Sequence, residues 1–146
     1  MKNLHRFTAA ALIAVLFLSL LSASALAAPD FQEITGLSRV QSKLSRGVRI
    51  VKVSYRSYSF SPRAAQFDTA SASAIQRIWS AVRKIRISGT AYGGAPTCVG
   101  SSLTFTLSDG STCEIFFTGN FYEYGSTTYQ LVHMDDYYSV INACCR

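Results

Sequence analysis

The apolar and polar positions divide the chain into an apolar leader and a patterned domain. Apolar or small residues run from Ala9 to Leu21 with only Ser19 between them, after the basic residues Lys2 and Arg6. This run is shorter than the ~20 residues that a spanning helix needs. Because Ala25-Leu26-Ala27 supplies a small-x-small cleavage pattern, the sequence predicts a signal peptide over residues 1–27 and one secreted domain over residues 28–146.

The first pattern in the domain is helical and basic. Apolar residues recur at steps of three and four from Phe31 to Leu44, which predicts an N-terminal helix over about 32–46. Arg39, Lys43 and Arg46 follow each other at the same steps along a different face. Gly36 weakens this prediction because glycine disfavours helix interiors.

Alternation of apolar and polar residues then predicts a strand over Val48–Phe60, with Val51, Val53 and Tyr55 on one side.

The next segment has the strongest helical period in the chain. It predicts the main helix over about 69–84, with Asp68 or Thr69 as its N-cap. The period directs Trp79, the single tryptophan, into the core.

A hairpin is the clearest local prediction, from Ser101 to Thr118. A two-residue Asp109-Gly110 loop would mix polar and apolar side chains on one face. A three-residue loop, Ser108-Asp109-Gly110, instead pairs Phe105 with Cys113 and Leu103 with Ile115, which keeps one face apolar. We therefore predict the second register.

Two further elements follow the hairpin. Strands over Phe121–Tyr124 and Thr128–Val132 form a second hairpin around Gly125-Ser126. Asp135 or Asp136 is the predicted cap of a short C-terminal helix over about 135–144. The predicted fold class is α+β, an antiparallel β-meander sheet with the main and C-terminal helices packed on it and an extra N-terminal helix.

The order of a strand, an amphipathic helix, a meander with Asp-Gly at its turn and a closing Asp-Tyr-Tyr helix resembles small extracytoplasmic domains of unknown function from Gram-positive bacteria. The resemblance covers Val48–Ala143. It implies the fold and an extracytoplasmic location, and it supplies no activity and no functional residue.

Four cysteines in an exported chain favour disulfides, and four allow three connectivities. They are Cys98, Cys113, Cys144 and Cys145. Because neighbouring cysteines pair only with strain, we expect Cys144 and Cys145 to be bonded to Cys98 and Cys113, in either combination. Each such bond would contribute about 3–4 kcal/mol by constraining the unfolded chain.

Charge is uneven along the domain. Residues 28–86 carry 11 basic and three acidic side chains, whereas residues 87–146 carry one basic and five acidic ones. Two interpretations are open: a surface for an anionic partner, or two complementary halves packed together. The candidate binding residues lie on the basic helix and in a tyrosine-rich C-terminal region, either of which could be the binding surface, because tyrosine suits interfaces and basic side chains suit an anionic partner. These residues are Arg39, Lys43, Arg46, Tyr122, Tyr124, Tyr129, Tyr137 and Tyr138.

The residues offer little for catalysis. Once the leader is removed, His133 is the one histidine, which excludes a zinc site built from several imidazoles of one chain. The Gly-x-Ser-x-Gly motif of a serine nucleophile elbow is absent. Glu114 and Glu123, both in predicted strands, are the candidates for the paired carboxylates of a glycosidase. We expect no cofactor and no metal.

Three functions are consistent with this sequence. The favoured one is a non-catalytic binding or interaction module at the cell envelope or outside the cell, with an extracellular protein or an anionic envelope polymer as its partner. The alternative is a secreted toxin or an inhibitor of another protein. A small hydrolase that uses His133 ranks third. Nucleic acid is a disfavoured partner because exported single domains rarely meet it.

Overall fold

A computed structural model describes residues 28–58, 65–91, 93 and 100–145. The predicted signal peptide lies outside these residues. Within the described part of the chain, no helix is both long and apolar enough to cross a membrane.

The elements form one antiparallel sheet and four helices, so the predicted α+β class is confirmed. The helices are α1 (Phe31–Ile34), α2 (Leu37–Leu44), α3 (Ala72–Val82) and α4 (Met134–Cys144). The strands are β1 (Ile50–Ser57), β2 (Gln66–Thr69), β3 (Arg86–Thr90), β4 (Gly100–Leu107), β5 (Thr112–Thr118), β6 (Phe121–Tyr124) and β7 (Thr127–Val132). Their order in the sheet is β2-β1-β4-β5-β6-β7-β3, so the predicted meander is β4 to β7.

The predicted N-terminal helix is broken into two pieces. Gly36 takes the left-handed conformation with φ of 79°, which ends α1 and starts α2 in a new direction. Asp30 caps α1 by accepting a hydrogen bond from the Gln32 backbone N–H. The amphipathic period was therefore a correct signal for helix, and the glycine within it marks the break.

The main helix is shorter than predicted. It starts after the N-cap Ser71, because Asp68 and Thr69, the predicted caps, belong to strand β2. Strands β2 and β3 are absent from the predicted elements, and both lie at edges of the sheet.

Strand β1 carries an irregularity that alters one predicted face. Its register to β4 shifts between Ile50 and Lys52. Val51 is consequently 43% exposed, whereas Ile50 packs against the core. The prediction that Val51 shares the buried side of Val53 is wrong for this reason, since one extra residue reverses the alternation.

The predicted hairpin register is confirmed. Phe105 pairs with Cys113 and Leu103 with Ile115, and Gly110 has a φ of 82° in the turn. Leu103 and Phe105 of β4 therefore share one buried face with Ile115 and Phe117 of β5, as a three-residue loop requires.

Helix α4 begins one residue earlier than predicted. His133 is the N-cap and has a left-handed φ of 62°, so Asp135 and Asp136 lie in the first turn and are not caps. Their carboxylates still favour the helix because they complement its positive end.

The hydrophobic core lies between one face of the sheet and the four helices. The sheet supplies Val53, Tyr55, Leu103, Phe105, Ile115 and Phe117, and the helices supply Phe31, Leu37, Ile75, Ile78, Val82, Tyr137 and Ile141. Each large apolar side chain buried there stabilises the fold by about 1.5–3 kcal/mol. The other face of the sheet carries mostly polar side chains, and we call it the open face.

Candidate binding surfaces

The lysine of the predicted basic surface has a structural partner. Lys43 Nζ lies 2.8 Å from Asp109 Oδ2 and 2.8 Å from Ser111 Oγ, so it ties α2 to the β4–β5 turn. The hydrogen bond from Lys43 is the main cause that holds the pKa of Asp109 well below its usual range, and the hydrogen bonds from Ser111 lower this pKa further. Arg39 and Arg46 are exposed, and no carboxylate in the described residues lies within ion-pair distance of either.

The ion pairs explain part of the charge asymmetry. Lys43 with Asp109 and Lys84 with Asp136 each join the basic half of the sequence to the acidic half, the latter at 2.6 Å. Lys52 and Arg56 share Asp68 on the open face. All three lysines of the described chain are therefore occupied by carboxylates, which supports the interpretation of two complementary halves.

The arginines behave differently from the lysines. Arg56 is the one arginine with an ion pair among the described residues. The described arginines without one are Arg39, Arg46, Arg49, Arg77, Arg83 and Arg86. The cationic excess of the domain therefore remains on guanidinium groups, which favours the other interpretation, an anionic partner, for the places where arginines cluster.

One of these arginines, Arg49, lines an apolar groove between the end of α2, the start of β1 and one side of α3. We call it the Trp79 groove, and its volume is about 290 Å³. It is lined by Leu44, Val48, Arg49, Ile50, Ala72, Ile75, Gln76 and Trp79. None of these lining residues is acidic.

Trp79 connects this groove to the core. Its ring meets Phe105 edge-on, with centroids 5.4 Å apart, and the side chain is only partly buried. Trp79 therefore contacts the core, as predicted, and it also lines the groove. The guanidinium of Arg83 lies 5.9 Å from the ring centroid, a cation–π distance.

The groove is absent from the predicted surface because its walls are distant in sequence. Leu44 and Val48 precede Trp79 by more than thirty residues, and they meet it only in the folded chain, where the end of α2, the start of β1 and α3 line one groove. Arg46 lies between Leu44 and Val48 in the chain. No other residue of the predicted basic surface lies between two groove-lining residues in the chain.

The five predicted tyrosines do not form one surface. Tyr137 is 1% exposed, so its assignment to a binding surface is wrong: it packs on Phe117 within the core. Its hydroxyl has no hydrogen-bond partner among the described residues, and burial raises its pKa well above the usual value. Tyr138 is partly buried beside it.

The remaining three lie on β6 and β7. Tyr122 packs edge-on against Phe31 at 5.6 Å and pairs across the strands with Tyr129. Tyr124 is largely exposed. A second groove, about 410 Å³ in volume, holds Arg39 and Lys43 between α2 and the β4–β5 hairpin, and no tyrosine lines it. The basic side chains of α2 and the tyrosines of β6 and β7 therefore do not line a common groove.

Cysteines of the described residues form no disulfide with one another. The expected bond from Cys113 to Cys144 or Cys145 is therefore not formed. Cys113 faces the α1–α2 junction and donates a hydrogen bond to the Thr35 carbonyl at 3.4 Å, whereas the other two end α4. Burial raises the pKa of Cys113, which is typical of a structural thiol. Cys98 lies outside the described residues.

The candidate catalytic groups are dispersed. His133 lines a charged cavity of about 410 Å³ with Lys84, Arg86, Asp135 and Asp136, and no hydroxyl or thiol side chain lines it. Glu114 and Glu123 are exposed on β5 and β6. Within the described ranges, no three His, Cys, Asp or Glu side chains are grouped to hold a metal ion.

The open face of the sheet is a third surface. Tyr58 and Phe116 are each 56% exposed there, and Ser102, 2% exposed, lies between them. Its cations Lys52 and Arg56 are both occupied by one carboxylate. This face therefore offers aromatic rings and hydroxyl groups but little free charge.

Comparison of the chain with protein-family models, curated proteins and solved structures finds no match. Function is therefore argued from the surfaces of the chain itself.

Proposed function

We propose that this chain is a non-catalytic binding module of the extracytoplasmic space that holds an anionic component of the cell envelope at the Trp79 groove. The observation that carries the proposal is an apolar, carboxylate-free groove that Arg49 lines and whose Trp79 ring lies within cation–π distance of Arg83, with neither arginine in an ion pair. Arg46 is exposed, also has no ion pair among the described residues, and lies in the chain between the lining residues Leu44 and Val48.

Charge supports this assignment. A carboxylate within ion-pair distance would neutralise a cation before any ligand arrived, and the lysines of the domain are neutralised in this way. The three arginines keep their charge for a partner. Each basic side chain near an anionic surface contributes about 1 kcal/mol, so three together lower the dissociation constant by about two orders of magnitude.

The chemistry of arginine supports it further. The guanidinium is planar, always charged and able to form two parallel hydrogen bonds with a phosphate or carboxylate. Such groups occur both on envelope polymers and on lipid headgroups. The shared requirement is a surface of closely spaced anions.

The test is equilibrium binding of the purified protein, with its N-terminus established by intact mass. The probes are phosphatidylglycerol vesicles, phosphatidylcholine vesicles and soluble polyphosphate. We expect binding to an anionic probe and none to phosphatidylcholine. The affinity should fall between ionic strengths of about 0.01 M and 0.15 M, as the Debye length shortens from about 30 Å to about 8 Å.

A matched pair of variants locates the site. Replacing Arg46 and Arg49 together by Gln should weaken binding about 25-fold, since each arginine contributes about fivefold. Arg77→Gln is the control, because Arg77 is exposed and without a described ion pair but lines a different groove, between α3 and α4. Equal losses in the two variants, or no binding to either anionic probe, would contradict the proposal.

A further inference from the structure

The arginines explain attraction to any polyanion, but the floor of the Trp79 groove has a different chemistry. Six of its eight lining residues are apolar. Burying the hydroxyl or phosphate groups of a hydrophilic polymer against apolar walls removes water without replacing its hydrogen bonds. The walls therefore point to a ligand with an apolar part.

The size of the groove limits that part. Its volume of about 290 Å³ lies at the lower end of the ~300–1,000 Å³ typical of small-molecule sites. Leu44, Val48 and Trp79 are each only partly buried, so the groove is open to the surface. An open apolar groove of this size accommodates a segment of an alkyl chain whose remainder stays outside.

Cations stand where the headgroup of such a ligand would lie. Arg49 lines the groove, Arg83 covers one side of the Trp79 ring, and Arg46 is exposed between two lining residues in the chain. Long arginine side chains place their apolar stems along a surface and their charged ends in the headgroup layer. Tryptophan also favours the boundary between hydrocarbon and water.

We infer that the occupant of the Trp79 groove is the acyl region of an anionic lipid, so that the module docks on the surface of an anionic bilayer. This inference rests on the proposed function and names the ligand for the same site. Apolar side chains beside basic ones are the combination that holds a protein at a membrane surface without crossing it. Trp79 and Val48 would enter the acyl boundary while the three arginines contact phosphate groups.

Trp79 reports on its own site, because it is the only tryptophan of the chain. The experiment compares its fluorescence with phosphatidylglycerol vesicles, with the same vesicles brominated on the acyl chains, and with soluble polyphosphate. We expect a blue shift with the vesicles and quenching of Trp79 by the acyl bromine atoms. Polyphosphate should leave the emission wavelength unchanged.

Two valine variants separate acyl contact from charge. Val48→Thr places a hydroxyl in the groove wall and should lower vesicle partitioning about fourfold, the effect of one methylene group. Val51→Thr is the matched control, because Val51 is exposed on β1 but does not line the groove. It should leave partitioning unchanged.

Each outcome decides the inference. Vesicle binding with bromine quenching and a selective loss in Val48→Thr supports it. Vesicle binding without quenching, or binding to polyphosphate alone, overturns the lipid assignment and leaves the proposed function standing. Absence of binding to every anionic probe overturns both.

Discussion

Truncation of Phe31 tests how the N-terminal segment is held. Phe31 is 0% exposed, and its ring contacts Phe117, with centroids 6.2 Å apart, and Tyr122 at 5.6 Å. Helix α1 has four residues and is too short to be stable by itself. The Phe31 side chain is therefore the main reason that α1 stays on the sheet, and Phe31→Ala removes it.

The expected loss follows from burial. A fully buried Phe→Ala change costs about 3–5 kcal/mol, from lost transfer free energy and the cavity left behind. The two aromatic contacts account for about 0.5–1.5 kcal/mol each within that range. Because a short terminal helix can move into part of the cavity, we expect a loss near 3 kcal/mol in the free energy of unfolding.

The assay is equilibrium urea unfolding followed by far-UV circular dichroism. With an m-value of about 1–3 kcal/mol/M, a loss of about 3 kcal/mol lowers the midpoint by about 1–3 M. Phe116→Ala is the control, with the same atoms removed from a ring that is 56% exposed on the open face. It should cost no more than about 1 kcal/mol.

Two results would refute the reasoning. One is a loss below about 1 kcal/mol for Phe31→Ala, which would mean that α1 adds nothing to the folded state. The other is an equal loss for Phe31→Ala and Phe116→Ala, which would mean that burial does not distinguish the two rings.

Four further predictions concern individual residues. Gly36→Ala should destabilise by about 1–2 kcal/mol in thermal or urea melts because of its φ of 79°, although the added Cβ would meet its nearest neighbour only at 3.8 Å. Gly89→Ala, with negative φ and open space, should be neutral or slightly stabilising. Iodoacetamide should label Cys145 at least several-fold faster than Cys113 in the native protein by mass spectrometry, since the latter thiol is the more buried. Because its folded-state pKa is lowered, Asp109 should stabilise the fold above about pH 4 and progressively less as acid protonates it; Asp109→Asn should therefore flatten that part of the stability–pH profile in urea melts. An unchanged profile would contradict the role of this carboxylate, as would equal labelling rates for the cysteines or equal melts for the two glycine variants.

The sequence pattern predicts an element correctly where residues within that element fix its conformation. The β4–β5 register follows from the turn Ser108-Asp109-Gly110 together with the need to keep Phe105 and Leu103 on one apolar face. Both constraints lie within eighteen residues of sequence, so no distant contact is needed to read them.

The sequence pattern fails to predict an element where pairing with a distant strand fixes its conformation. Asp68 and Thr69 have the chemistry of helix caps, yet they form β2 because β1 offers them a pairing edge. Arg86 to Thr90 follow a helix and precede glycines, yet they form β3 because β7 has a free edge after the meander closes. Pairing across long sequence separations overrides weak local preference in such segments.

The sites divide in the same way. The sequence established which residue types are present: a basic excess, one tryptophan, and cysteines available for bonding. Tertiary structure decided which of them remain available. It placed Tyr137 in the core, occupied Lys43 with Asp109, and directed the Cys113 thiol to a backbone carbonyl away from the end of α4.

By itself the sequence determined the α+β class, the meander and its register, and the unequal charge of the two halves, because helical period, alternation and turn residues act over a few neighbouring positions. Only the tertiary structure decided where β2 and β3 join the sheet, which cations are left without carboxylates, and that Leu44 and Val48 meet Trp79 in one groove. The physical reason is that edge pairing, ion pairing and burial depend on residues far apart in the chain, whose proximity exists only after the helices have packed on the sheet.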